Sequence, residues 1–140
     1  MCGLSVAPGI GEITAFLLDR DETAHPAPEE LRDWTGQLTK ALNRSIRCVA
    51  EAAAQLPTAR PERTQALAAA DKAAHRLRTG PGNGAEAALA YAMGLASDVR
   101  ALREHRRVLD AEAYGQHAAR KEKLSERVAA ANALSRRFPR

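Results

Sequence analysis

Apolar residues recur along most of this chain at steps of three and four, the spacing of one face of an α-helix. The clearest run follows Pro28, ends before Pro57 and predicts the longest core helix over residues 28–56. Proline suits the first turn of a helix, and Glu29 and Glu30 suit the positive end of its dipole. The positions predicted to be buried are Leu31, Trp34, Leu38, Ala41, Leu42, Ser45, Val49, Ala52 and Leu56.

The same periodicity predicts three further bundle helices, over residues 8–20, 61–79 and 85–109. The short helix over residues 8–20 presents Ile10, Ile13, Phe16 and Leu17 on one face. The helix over residues 61–79 presents Ala66, Leu67, Ala70, Ala74 and Leu77. The helix over residues 85–109 follows a glycine-rich break over residues 80–84 and presents Leu89, Ala92, Met93, Ala96, Val99, Leu102 and Leu109. Short connections predict antiparallel neighbours, so residues 1–109 are expected to form a small antiparallel helical bundle.

The pattern becomes sparse beyond Asp110, where Tyr114 and Gly115 suggest a kink. A narrow stripe resumes with Leu124, Val128, Ala131, Leu134 and Phe138. Residues 110–140 are therefore predicted to form a basic C-terminal helix that packs on the outside of the bundle or on a partner.

Composition supports an all-α fold. The chain has 31 alanines and 15 leucines but only 8 valines and isoleucines together, and β-sheets favour the residues that are scarce here. With 5 aromatic residues and so much alanine, the core of a monomer would be thin, because alanine buries little surface. We therefore expect a homodimer.

The two cysteines do not suggest a disulfide framework, and neither a signal peptide nor a membrane-spanning stretch is recognisable. The expected compartment is the cytoplasm, with no membrane association. Charge is uneven, because residues 1–59 carry 5 basic and 8 acidic side chains, whereas residues 60–140 carry 16 and 9. Such asymmetry is typical of proteins that bind an acidic partner or nucleic acid, or whose subunits attract each other through oppositely charged faces.

The candidate chemical groups each have a simpler structural interpretation. The start Met1-Cys2-Gly3-Leu4 resembles that of N-terminal-nucleophile glutaminases, but their layered β-sandwich does not suit a strand-poor chain. Cys48 is predicted to fill the core, and the break at residues 80–84 lacks the residues of a phosphate-binding loop. The four histidines, at positions 25, 75, 105 and 117, include no pair at helical ligand spacing. We expect no metal and no cofactor, and no catalytic set is recognisable.

A basic face is the best candidate for binding a partner, and its proposed members are Arg103, Arg106, Arg107, Arg120, Lys121 and Lys123. Clusters of this kind neutralise phosphates, but the helices lack a helix-turn-helix signature and an aromatic ladder. Nucleic-acid binding is therefore a third hypothesis. The second is a small-molecule-binding bundle, or an unorthodox enzyme, with an interhelical pocket near Trp34, Tyr91 and His105.

From Glu29 to Leu109 the chain resembles a family of small actinobacterial proteins loosely linked to natural-product biosynthesis. The resemblance rests on helix boundaries and core positions: Leu56-Pro57, His75-Arg76-Leu77, Gly80-Pro81-Gly82, Ala90-Tyr91-Ala92, Leu95-Ala96, Val99, Ala101-Leu102 and His105. It implies a high-GC filamentous bacterium and a biosynthetic setting, without an established activity or catalytic residue. The leading hypothesis is a non-catalytic helical accessory or regulatory protein that forms homodimers and acts on a pathway protein partner.

Overall fold

The computed structural model describes residues 9–19 and 25–137, which form four helices. These are α1 (Ile10–Asp19), α2 (Pro28–Ala54), α3 (Pro61–Thr79) and α4 (Ala85–Arg137). The described residues include no strand, so the predicted all-α class is confirmed.

The helix boundaries follow from local chemistry. Pro28 opens α2, and the carboxylate of Glu30 accepts a hydrogen bond of 3.3 Å from the backbone N–H of Ala27. Pro61 likewise occupies the first position of α3. Gly80 ends α3 with a φ of 70°, and Gly84 precedes α4 with a φ of 96°; both are positive values that glycine tolerates without strain.

Successive long helices run antiparallel, as predicted, and this makes α2 and α4 parallel to each other. Two ion pairs between α3 and α4 fix the direction: Arg60, just before α3, meets Glu112, and Arg76 meets Asp98 near the other end. The short α1 runs antiparallel to α4, and its last residue, Asp19, pairs with Arg100 at 3.2 Å. The N-termini of α2 and α4 therefore lie at the same end of the bundle.

The core is shared by all four helices, but its large residues come from α1, α2 and α4. The predicted face of α2 is buried except at Ser45 and Ala52, which are half-buried, while Ala53 is buried instead. Phe16 was predicted to be inside but is 38% exposed, and its ring packs edge-on against Trp34 with centroids 5.1 Å apart. The buried residues of α3 are Ala66, Ala70 and Ala73.

Alanine on α3 allows close helix packing, and arginine side chains fix the position of the helix. The Arg63 guanidinium donates to the backbone oxygen of Leu56 at 2.8 Å. The Arg76 guanidinium donates from Nε to the Asp98 carboxylate at 2.7 Å and lies directly over Gly94, where a Cβ atom would collide with it. Asp98 is only 6% exposed, so this bond satisfies a buried charge.

The sequence prediction differs most from the structure beyond Leu109. The expected kink and separate helix are absent, because α4 continues without a break through Gly115 to Arg137. The 53 residues of α4 correspond to a length of ~80 Å at 1.5 Å per residue. Every residue from His117 to Arg137 is exposed, so this segment does not pack on the outside of its own bundle. None of the described helices is long and apolar enough to cross a membrane.

Candidate functional site

An open cleft of about 570 Å³ lies between the first turns of α2 and α4. The α2 side contributes Pro28, Leu31, Arg32 and Thr35, preceded by His25 and Pro26. The α4 side contributes Ala85, Glu86, Ala88, Leu89 and Tyr91, preceded by Pro81 and Gly84. Because the two helices are parallel and α1 is short, their first two turns form the sides of the cleft.

The chemistry of the cleft is mainly apolar. Its volume falls within the ~300–1,000 Å³ that is usual for ligand pockets. The hydroxyl of Thr35 already donates to the backbone oxygen of Leu31 at 2.7 Å. Arg32 and Glu86 supply one charge of each sign, and both are exposed. An apolar surface with charged edges fits a packing partner or an amphipathic molecule better than it fits a catalytic centre.

Of the three residues predicted to form an interhelical pocket, only Tyr91 lines this cleft. Trp34 is 8% exposed and belongs to the core beside Phe16. His105 is half-buried on α4, 14 residues beyond Tyr91, which corresponds to ~21 Å along the helix. Sequence reasoning missed the other lining residues, although Pro28 and Gly84 mark the helix starts between which the cleft opens.

A second groove, of about 500 Å³, lies between α1 and α4. It is lined by Gly11, Thr14, Arg100, Arg103, Glu104 and Arg107. Two of its three arginines are engaged, Arg100 with Asp19 and Arg107 with Glu104. The hydrogen bond from Arg107 is the main cause of a lowered pKa at Glu104. Within the described part of the chain, Arg103 alone among these arginines has no ion-pair partner.

The predicted basic face is not a single surface. Arg106 pairs with Asp110 at 3.1 Å, and hydrogen bonds to that carboxylate are the main reason that the pKa of Arg106 is raised. Arg103 and Arg107 border the groove beside α1, whereas Arg120, Lys121 and Lys123 lie more than ten residues further along α4, beyond the bundle. At 100° per residue, Lys123 lies ~160° around the helix from Arg107, and Arg103 lies ~60° from Arg106. The charges therefore spread around α4.

The part of α4 over residues 117–137, here called the extension, is the most conspicuous surface of the molecule. Leu124, Val128 and Leu134 are 61%, 52% and 58% exposed. With Ala131 they form an apolar stripe at steps of three and four residues. Tyr114, just before the extension, is 76% exposed.

The cysteine and metal predictions have different outcomes. Cys48 is half-buried, so it is not the fully buried core residue that was predicted. Cys2 lies outside the described residues. Within the residues that are described, no group of three or more histidine, cysteine, aspartate or glutamate side chains could hold a metal ion.

The fold and these surfaces define a small all-α bundle protein with an apolar cleft and a long helical extension. The chain belongs to DUF6415, a family of unknown function whose sequence profile matches residues 10–111. The match runs from the first residue of α1 to the residue before Glu112, so it covers the packed bundle and stops before the extension. Neither the curated proteins nor the solved structures include a match.

Proposed function

We propose that this protein is a non-catalytic helical interaction protein that forms homodimers and binds through the extension of α4. The observation that carries the proposal is the apolar stripe of Leu124, Val128, Ala131 and Leu134, which stands clear of the bundle on an exposed helix. Contiguous apolar surface of this kind is typical of interaction sites. An amphipathic helix with anchors at such spacing is a common way to fill a groove on a partner.

Burial of the stripe supplies the main favourable contribution that we expect for assembly. A leucine or valine taken from full exposure to full burial contributes ~1.5–3 kcal/mol, so covering side chains that are already partly shielded contributes about half as much each. In a symmetric dimer each subunit contributes one stripe, so the apolar side chains of the stripe are buried twice. The basic side chains of the extension stay in solvent at the rim, where ion pairs contribute ~0–1 kcal/mol.

The test compares two sets of substitutions in the full chain by sedimentation equilibrium at tens of micromolar protein. Replacing Leu124 and Leu134 by serine is expected to shift the protein from twice 15.0 kDa to 15.0 kDa. Reversing the charge of Arg120, Lys121 and Lys123 is the matched control, on the same helix, and should leave the dimer in place. A wild-type monomer at these concentrations would contradict the proposal.

The same variants separate this proposal from nucleic-acid binding. A nucleic-acid regulator would bind DNA with an affinity that falls steeply with salt, because each phosphate contact releases counterions. The charge reversals would then abolish DNA binding while the dimer persisted. The serine substitutions would leave DNA binding intact. That pattern would favour the regulator hypothesis.

A second candidate function, small-molecule binding or unorthodox catalysis, is supported by the apolar cleft that includes Tyr91. An amphipathic ligand in this cleft should raise the thermal midpoint of the wild type. Replacing Ala88 by tryptophan, which fills the cleft, should remove that shift. For either function, the proposed association with a natural-product biosynthetic pathway rests on the family resemblance alone. A binding partner encoded in a biosynthetic gene cluster would support this association.

A further inference from the structure

The cleft and the extension are complementary, and no described residue of the chain covers either of them. We infer that the extension of one copy packs into the α2–α4 cleft of a second copy, and that the second extension returns the same contact. This inference rests on the proposed function, because it names the surface to which the extension binds.

The two surfaces match in length. The cleft runs along residues 28–35 of α2 and 85–91 of α4, which is about two helical turns or ~10 Å. The last part of the apolar stripe, Val128, Ala131 and Leu134, also spans about two turns. Leu31, Ala88 and Leu89 line the cleft and would supply apolar contacts for these side chains.

The length of α4 allows both contacts to form at once. Glu112 contacts Arg60 and, within the part of the chain that the structure describes, is the last residue of α4 with an ion pair to the bundle. Leu134 lies 22 residues after Glu112, and Leu89 lies 23 residues before it, which correspond to ~33 Å and ~35 Å. Two bundles placed end to end, with their α4 helices antiparallel, therefore bring each Leu134 alongside the partner's cleft. The arrangement is a closed two-fold dimer, the commonest symmetry of soluble oligomers.

The direction of the stripe favours the same arrangement. At 100° per residue, Leu124 lies ~40° and Ala131 ~20° around α4 from the buried core residue Leu102. The stripe thus continues the side of α4 that faces the core of the bundle. Beyond the end of the bundle, this side faces the space that a second bundle would occupy in the end-to-end dimer.

Charge favours the cleft over a pairing of two extensions. Arg120, Lys121 and Arg127 flank the stripe, whereas Glu122 and Glu126 lie ~160° away from Leu124 on the opposite side of the helix. Two extensions packed stripe to stripe would therefore place like charges together. Over residues 28–35 and 85–91, the two segments that form the cleft, Arg32 is outnumbered by acidic residues, of which only Glu86 lines the cleft itself: Glu29, Glu30, Asp33 and Glu86. The basic residues of the extension that lie next to Leu134 are Arg136 and Arg137, so these two side chains, rather than Arg120, Lys121 and Lys123, bring positive charge to the acidic end of the cleft.

Two complementary variants test the inference by sedimentation. The first replaces Ala88, a half-buried residue that lines the cleft, by tryptophan; the second deletes residues 118–140. Each is expected to be a monomer on its own. An equimolar mixture should contain a heterodimer, because one intact extension can enter one intact cleft. Ala90→Trp, on an exposed position of α4 that does not line the cleft, is the matched control and should remain a dimer.

Cross-linking gives a readout that does not depend on filling the cleft. Thr35→Cys and Leu134→Cys are combined in a chain with Cys2→Ser and Cys48→Ser. On mild oxidation a disulfide-linked dimer should form, and it should be lost when either new cysteine is absent.

The outcomes separate this inference from the proposed function. If Ala88→Trp remains a dimer and Thr35→Cys does not cross-link to Leu134→Cys, the cleft is not the binding surface and the inference fails. The proposed function still stands in that case if the serine substitutions at Leu124 and Leu134 dissociate the dimer. A wild-type monomer overturns both.

Discussion

The Arg76–Asp98 bond over Gly94 makes an unusual prediction about a glycine inside a helix. Glycine costs ~1 kcal/mol relative to alanine in a helix interior, so replacing it normally stabilises a protein. At Gly94, however, the new methyl group would occupy the place of the Arg76 guanidinium. The guanidinium would have to move aside, and we expect this movement to weaken its bond to the Asp98 carboxylate, which is nearly buried.

The magnitude follows from these two opposing effects. A hydrogen bond between charged groups contributes ~1.5–3 kcal/mol, and the lower part of that range applies because the Arg76 side chain is 32% exposed and can be hydrated. Subtracting the gain in helix propensity leaves Gly94→Ala destabilised by about 1 kcal/mol. Gly36→Ala is the matched control, because a methyl group at this exposed position in α2 meets nothing within 4 Å. It should be stabilised by about 1 kcal/mol.

Urea unfolding followed by circular dichroism, at one protein concentration for all variants, measures the difference. The two substitutions are expected to differ by ~2 kcal/mol in the free energy of unfolding. In a chain that already carries Arg76→Ala, Gly94→Ala should become stabilising, like Gly36→Ala. Equal stabilisation by both substitutions in the wild-type chain would refute the reasoning, because it would mean that the methyl group at position 94 does not disturb the Arg76–Asp98 bond at a cost to stability.

Further predictions address the core and the extension. Leu38→Ala, at a fully buried position, should cost ~2–5 kcal/mol in urea unfolding, and a loss near zero would mean that the site repacks completely. Phe16→Ala should cost ~1 kcal/mol and shift the fluorescence of Trp34 to the red, since their edge-on contact shields the indole, whereas Phe16→Leu should restore most of the shielding. Deletion of residues 118–140 should leave the unfolding free energy in dilute solution, where the chain is monomeric, unchanged within about 0.5 kcal/mol. A larger loss would show that the extension contacts its own bundle.

The sequence predicted the helices well where large apolar residues recur without interruption. In α2 the leucines and Trp34 define a single face, so that both the boundaries and most of the buried positions followed from periodicity. In α3, alanine occurs on several faces, and periodicity did not distinguish Ala73, which is buried, from Ala74, which is half-buried. Intrinsic helix preference is equal at both positions, and only the location of the neighbouring helices decides which of them is covered.

The candidate sites were harder to predict because they depend on contacts between distant residues. Asp98 is polar and was not expected among the buried residues of α4, and its burial is explained by Arg76, 22 positions away. A glycine within a strongly helical run was the available signal for a close approach at Gly94. The apolar stripe of the extension was recognised, but local sequence carries no information on whether such a stripe folds back or stands free.

The alanine face of α3 has a consequence for how the folded protein opens. Each of its buried side chains is a single methyl group, and none of the large, fully buried side chains comes from this helix. Helices α1, α2 and α4 could therefore keep their shared core while α3 detaches as one unit, once the bonds of Arg60, Arg63 and Arg76 break. Partial openings of this kind govern amide hydrogen exchange, so the amides of α3 should exchange at a lower opening free energy than those of α2. The protein would then consist of a unit of α1, α2 and α4 from which α3 can separate, rather than a bundle that unfolds in a single step.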